Sequence, residues 1–313
     1  LRGQFNGQSG DLSDLPESQR YGLEGDLSLR AELFAQNEKQ GLRLEASGHS
    51  LVLPIQSKRL TLERLDLKGE AFLTDGLPRI DGTLLLSDYM LGFTQLSSLE
   101  ISATGDRNRL QLDGRADGNW RGALDLGGSL IWSQDGQRQK AALSLSGVLF
   151  GEKLATEKPL SLHMENDQLM LRPFMISFSK GSISGTLNKQ ETEIDLRFDL
   201  ADMPLSILNV VSPQILPTGT LDGQLALSQI KDQSRGAMRL SLHDLAPSIA
   251  GFNQMPPLQI SMKADLADDI LNIVAQGSAL PALDAPDAPD APRTLDANAR
   301  LKLPFRLDLI QQV

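Results

Sequence analysis

The chain has no cysteine. That removes disulfides, thiolate nucleophiles and zinc–thiolate sites, and it suits an oxidising compartment as well as a reducing one. Histidine is almost absent too. His49, His163 and His243 stand far apart, with no ligand-like spacing to carboxylates. No G-x-S-x-G elbow accompanies the serines. The glycines of GTLDG (219–223) and DLGGSL (125–130) lack the strand–loop–helix setting of a phosphate cradle. No catalytic residue, metal or cofactor is therefore assigned, and the chain is not expected to be an enzyme. Basic clusters are missing: 30 Lys+Arg stand against 40 Asp+Glu, a formal charge of −10, which argues against nucleic acid as a partner. No apolar run approaches the roughly 18 residues that span a bilayer as a helix, and no charged-then-apolar leader opens the chain. It starts at Leu1 and stops within a repeating pattern, LPFRLDLIQQV. We expect a soluble piece of something longer.

Aromatic residues make up 4% of the 313 residues, and 58 leucines face only 15 isoleucines and 6 valines. Packed sheets favour β-branched and aromatic side chains, so leucine is an unusual choice for the pattern that dominates the chain. That pattern is alternation. Leu27 and Leu29 share one side of 23–34, and Leu42 and Leu44 one side of 41–48. Leu99 and Ile101 do so in SLEISATG, and Leu124, Leu126 and Leu130 in ALDLGGSLIW. The series continues with Leu160 and Leu162, then Ile194, Leu196 and Phe198, then Leu225 and Leu227. It ends with Leu258, Ile260 and Met262, and finally Leu301, Leu303 and Phe305. A period of two with polar residues between is the signature of strands with one oily and one wet face.

RLTLERLDLKGEAFL (59–73) breaks step once. Leu60 and Leu62 have one parity, Leu65 and Leu67 the other. A bulge at Glu63–Arg64 returns all four to one face and bends the sheet. Short polar breaks at 104–109, 164–168, 187–192 and 265–270, and the Asp135–Gly136 hairpin signal, separate the runs. They predict about 16 to 20 strands in an antiparallel meander. Two segments differ. ADMPLSILNVVSP (201–213) has Asp202 as an N-cap, Pro204 in the first turn and Leu205, Leu208 and Val211 at helical spacing, which predicts a short amphipathic helix. Residues 11–18 suggest another brief helical turn. PALDAPDAPDAP (281–292), with proline every third residue, predicts a stiff, extended loop.

An oily face on every strand has to be covered. Burying a leucine-sized side chain stabilises by about 1.5 to 3 kcal/mol, so the summed face far exceeds the roughly 5 to 15 kcal/mol net stability of a domain. A second sheet can pack on it, the sheet can close, or it can curl into a trough around something apolar. Stacked sandwiches of about 100 residues each and one long curled meander over 1–313 both remain open at this point.

The passage ADMPLSILNVVSPQILPTGTLDGQLALSQ (201–229) resembles a recurring one in the TamB-like family, the inner-membrane-anchored subunit of the translocation and assembly module, within the wider AsmA-like bridge-type lipid transfer proteins. The matching positions are Pro204, Leu205, Ser206 and Leu208, then Gly219, Thr220, Leu221, Asp222 and Gly223. The cadence of 14–33 and 59–73 is similar to the same family; the 281–292 insert is not. The resemblance implies an all-β half-pipe, or β-taco, with an apolar concave face. It implies a periplasmic middle segment of a conduit that shields phospholipid acyl chains between the inner and outer membranes of a Gram-negative bacterium. A membrane anchor and an outer-membrane barrel partner (TamA-like) would engage through regions outside this segment.

On that reading the residues named above, Leu60 to Leu67 included, line a lipid groove, with the 201–213 helix as plug or cap. The alternative is a scaffold for outer-membrane protein assembly that pairs a client strand to an exposed edge. A polysaccharide-acting enzyme would need clustered acids and aromatics, and a passive stalk would not need so consistent an oily face.

Overall fold

The computed structural model describes residues 2–14, 22–36, 39–55, 58–74, 77–191, 193–210, 217–230, 233–247, 258–267, 270–279 and 294–302. The fold is the expected one: almost entirely β, with nineteen strands among the described residues and antiparallel pairing throughout. The chain divides into two compact units, Leu1–Lys153 and Leu154–Val313.

The first unit is a strict meander in which each strand pairs with the next. Its strands are β1 (Gly3–Ser9), β2 (Glu24–Gln36), β3 (Lys39–Ile55), β4 (Lys58–Thr74), β5 (Leu77–Leu91), β6 (Thr94–Asp106), β7 (Arg109–Trp120), β8 (Ala123–Asp135) and β9 (Arg138–Leu149). The polar breaks read from the sequence are the turns between them. Asp135 faces Arg138 across a two-residue loop that begins with Gly136 at φ +59°, the left-handed start that such hairpins favour.

The second unit begins within β10 (Glu152–Lys158) and continues through β11 (Leu160–Glu165), β12 (Gln168–Phe178), β13 (Gly181–Gln190) and β14 (Glu193–Pro204). After these come β15 (Pro217–Ile230), β16 (Gln233–Pro247), β17 (Leu258–Ala267), β18 (Ile270–Ala279) and β19 (Thr294–Lys302). β10 and β11 lie end to end along β12, as Leu154↔Phe178 and Leu162↔Leu171 show. Pro159 stands between them, where its missing N–H cannot serve a ladder.

Both units carry the same irregularity: a row of bulges that crosses the strands. In the first unit Gly25, Ser50, Asp88 and Gly118 all have positive φ. Glu63–Arg64 lies between Ser50 and Asp88 on the intervening strand, and both residues are exposed while Leu62 before them is buried. The expected bulge is therefore one step of a crease that neighbouring strands share, and β3–β4 register runs through it unshifted. Register slips at Gly25 in β2 and between Leu96 and Ser98 in β6 complete the row. In the second unit register shifts at Leu200/Met203, Thr218/Thr220 and Leu242/Leu245 form such a row across β14, β15 and β16, while the shift at Leu171/Phe174 in β12 faces β13 between Gly185 and Leu187, away from that row. Asp202 (φ +48°), Gly219 (φ +115°) and Asp244 (φ +53°) lie along it. Polar side chains tie these points. Asp222 accepts the Asp202 N–H at 2.8 Å, and the Ser97 hydroxyl donates to Asp117.

The helix expected over 201–213 is corrected. β14 runs on to Pro204, and Leu205–Val210 form a 3₁₀ helix. Asp202 caps nothing; it is a left-handed strand residue on the crease, and the strand pairing of Met203 with Leu221 outweighs the cap-like sequence. Residues 211–213 lie outside the described part, as does the 281–292 loop. The turn expected near 11–18 is a 3₁₀ turn at Leu12–Asp14, with 15–18 outside the description. Asp11 caps it by accepting the Ser13 N–H at 2.8 Å. That bond, then the Ser13 side chain and the Gly25 N–H, hold the Asp11 carboxyl below its ordinary range against slight desolvation.

The crease sets a stability expectation. At Gly118 a Cβ would meet Leu96 Cα at 2.6 Å, with φ at +150°, so Gly118→Val should lower stability by about 2 to 4 kcal/mol. Ser50→Gly, at φ +48°, should raise it by up to about 1 kcal/mol. Urea unfolding midpoints report both, and an unmoved midpoint in Gly118→Val would show that the strand is not held left-handed there.

Candidate functional site

Backbone register sorts every described side chain onto one of two faces, because cross-strand partners point the same way. One row of the first unit reads Leu29, Ala46, Leu67, Leu84, Ile101, Gly114, Gly128, Leu145 from β2 to β9. One residue along, the row reads Arg30, Glu45, Lys68, Thr83, Ser102, Asp113, Ser129. The contrast between these two rows is sharp, one apolar and one polar, although the polar face also carries Phe34, Phe72, Leu85 and Ile131.

The crease keeps it so. β8 runs straight through with Leu124 and Leu126 two apart, so the rows on either side of the crease share a face. Strands that bulge there reach the same face with a three-residue step. Leu62 and Leu65 take it, and both belong to one cluster with Leu12, Leu51, Leu27, Leu86 and Tyr89.

All the expected lining residues of the first unit lie on this face: Leu27, Leu29, Leu42, Leu44, Leu60, Leu62, Leu65, Leu67, Leu99, Ile101, Leu124, Leu126 and Leu130. In the second unit Leu162, Leu196 and Leu227 share a row through Leu171 and Leu187. Phe198 and Leu225 share the next. Leu160, Ile194, Leu258, Ile260 and Met262 complete the same face. Leu301 is in register with Leu271. Leu303 and Phe305 lie outside the described residues. The alternation missed Leu86, Tyr89, Leu171, Phe174, Met203 and Leu245, which join the same faces across the bulges. The signal that would have found them is the repeated spacing of three at 62/65, 86/89, 96/99, 171/174, 200/203 and 242/245.

Most of these side chains are neither buried nor free. Leu62 is 4% exposed and Leu124 9%, but Leu42 is 41% exposed and the majority fall between. Part of the cover comes from within the layer. Leucines lean over cross-strand glycines: a Cβ at Gly128 would meet Leu145 at 2.8 Å, one at Gly223 would meet Leu240 at 2.8 Å, and one at Gly236 would meet Leu227 at 2.8 Å. Part comes from the 3₁₀ turns. Leu12 is 8% exposed against the cluster at the crease of the first unit. In the second, Leu205 of the turn and Met203 at the end of β14 are the most buried of the apolar side chains described, at 0% and 1%.

The opposite face is a charge ladder. The Arg43 guanidinium donates to Glu70 at 2.7 Å and pairs with Glu32 at 3.5 Å; Glu70 first, by hydrogen bond and by charge, keeps it more firmly protonated than usual. Arg115–Asp125 and Arg197–Asp195 are similar exposed pairs, of the kind that contributes about 0 to 1 kcal/mol. An open cleft of about 390 Å³ on the second unit's polar face is lined by Ser241, His243, Ser261, Gln276 and Asp296 among others, with no Phe, Tyr or Trp. Among the described residues no three or more of His, Asp and Glu gather to hold a metal, and no helix is long and apolar enough to cross a membrane. No family of known proteins, no curated protein and no solved structure matches the chain.

Burial along the face is uneven, and stability should follow it. Leu62→Ala is expected to cost about 2 to 4 kcal/mol and Leu42→Ala under about 1 kcal/mol. Comparable losses at the two positions in urea titrations would mean that Leu42 is as covered as Leu62.

Proposed function

We propose that the apolar face of each unit receives phospholipid acyl chains, and that the protein is a segment of a periplasmic conduit between inner and outer membranes. The observation that carries this reading is the pairing of a leucine face many strands wide with side chains left half covered. An ordinary core would be closed by a second layer at native density; here the described residues offer only Leu12 and the Leu205 turn above the sheet.

The physics suits a moving lipid. An acyl chain in water costs about 0.8 kcal/mol per CH₂, and a hydrocarbon face removes much of that at each position. Leucine is flexible and chemically uniform, so it offers many equivalent contacts and no deep site that would trap one lipid. No group on the face need do chemistry. The periplasmic setting, the membrane anchor and the outer-membrane barrel partner rest on the likeness of 201–229 to the TamB-like family.

The direct test places photo-crosslinking residues at Leu126, Leu162 and Leu196, and in parallel at their polar-face neighbours Asp125, Ser161 and Asp195. Phospholipid should be captured at the first set and not at the second. Equal capture at both would remove the proposal. Leu126→Arg should also stop lipid passage; if it spares lipid and impairs only outer-membrane protein assembly, the scaffold reading takes over.

A further inference from the structure

The apolar face of the first unit is open at one end and covered at the other. Away from the crease, Leu33, Leu42, Ala71 and Ile80 form one row by register, in which Leu33 and Ile80 are each 44% exposed and Leu42 is 41% exposed. At the crease Leu51 and Leu62 are buried, and the residue that joins them in one cluster comes from outside the ladder. It is Leu12, from the 3₁₀ turn Leu12–Asp14 between β1 and β2.

This turn is built to come away from the sheet. Its one apolar side chain is Leu12; Asp11, Ser13 and Asp14 are polar. It is fastened through Asp11, whose carboxylate accepts the Ser13 N–H at 2.8 Å and the Gly25 N–H of β2. The Asp11 carbonyl accepts the Ser9 hydroxyl at 3.0 Å and the Asp14 N–H at 3.2 Å. A glycine stands on each side: a Cβ at Gly10 or at Gly22 would meet nothing within 4 Å, and Gly22 has φ +65°. Such positions absorb the backbone change of a hinge at little cost. The turn of the second unit lacks them. Leu205 follows directly on Pro204, which is in register with Thr220, and no glycine lies between Met203 and Val210.

A leucine side chain offers as much hydrocarbon as about four methylenes of an acyl chain. A lipid chain can therefore replace Leu12 on Leu51 and Leu62 and still extend over the open row. We infer that the Leu12 turn is a lid. It seats on the crease end of the leucine face when that face is empty, and it lifts about Gly10 and Gly22 to admit an acyl chain to Leu51 and Leu62. The inference rests on the acyl-chain reading above and adds a control on it.

The test uses the full chain, and the lack of native cysteine makes it direct. In Leu12→Cys the thiol is the only one present, and it is shielded while the turn is seated. Palmitoyl lysophosphatidylcholine, below its micellar concentration, should raise its maleimide labelling rate about ten-fold. Glycerophosphocholine, which has the headgroup without the chain, should leave the rate unchanged. Leu205→Cys should stay shielded with both. Adding Asp11→Ala should raise labelling of Leu12→Cys about five-fold with no lipid present. In the unsubstituted chain the same lipid should speed amide exchange at Ser13 and Gly25, whose N–H groups hold the Asp11 carboxylate. A photo-crosslinker at Leu42, on the open row, reports acyl binding independently. Lipid capture at Leu42 with Leu12→Cys labelling and Ser13 exchange unmoved would show a fixed cap and overturn this inference alone. No capture at Leu42 overturns the acyl-chain reading and this one with it. Equal rises at Leu12→Cys and Leu205→Cys would show general loosening of the protein by lipid, which also overturns the lid.

Discussion

Everything in this protein follows from one constraint: each strand has an oily side, and all the oily sides within a unit point the same way. A one-residue slip in any ladder would turn a strand's leucines to the polar face. The register is held wherever it is described, from β2 to β9 and from β11 to β19. Hydrophobic burial alone specifies that register, because the outer charge pairs are exposed and individually weak. The sheet is therefore built from the apolar face outward, and the polar face follows by alternation.

The crease is how long strands keep that arrangement. β3 and β4 each run 17 residues, well beyond an ordinary strand of about 5 or 6, and twist accumulates along such lengths. Although β8 runs through unbroken, a shared row of bulges breaks several neighbouring strands at the same level. It costs backbone strain, which is visible in non-glycine residues such as Ser50, Asp88, Asp202 and Asp244 with positive φ. Asp is among the residues that tolerate this conformation best, and three of these four are Asp. In the first unit buried leucines cluster at this level, Leu12, Leu51 and Leu62, near one end of the strands; in the second Met203 and Leu205 are buried beside it, and Ile194, Leu227 and Leu266 are buried away from it.

Much of this was legible in the residues. Period-two leucine gave the strands, their approximate number, the antiparallel order and the membership of the apolar face. The parity break at Leu62/Leu65 gave the bulge. What stayed hidden was collective. One broken alternation predicts a bulge in one strand, and only the ladders show that neighbouring strands break at the same level. The helix over 201–213 failed for a physical reason as well. Asp202 and Pro204 have the chemistry of a helix start, but the ladder to β15 pairs Met203 with Leu221 and Pro204 with Thr220. Helical winding is therefore delayed to Leu205. The contact between Trp120 and Phe150, 5.6 Å between centroids, was out of reach too, since the two lie far apart in sequence and meet only when alternate hairpin tips fall on one side.

The choice of leucine is the last step. A core meant to be closed gains from β-branched and aromatic side chains, which have few rotamers and interlock in one way. A face shared with hydrocarbon, as proposed above, gains from the opposite properties. Leucine side chains can lie flat over Gly128, Gly223 or Gly236 when nothing else is present, and they can rise to meet a guest. The glycines are then as much a part of the surface as the leucines, because they provide the hollows into which the face folds when empty. A sheet with valine or isoleucine at these positions would hold its side chains upright and expose the same apolar area with no way to reduce it. Under the acyl-chain proposal, the imbalance of 58 leucines to 6 valines suits a surface that has to be stable both bare and occupied.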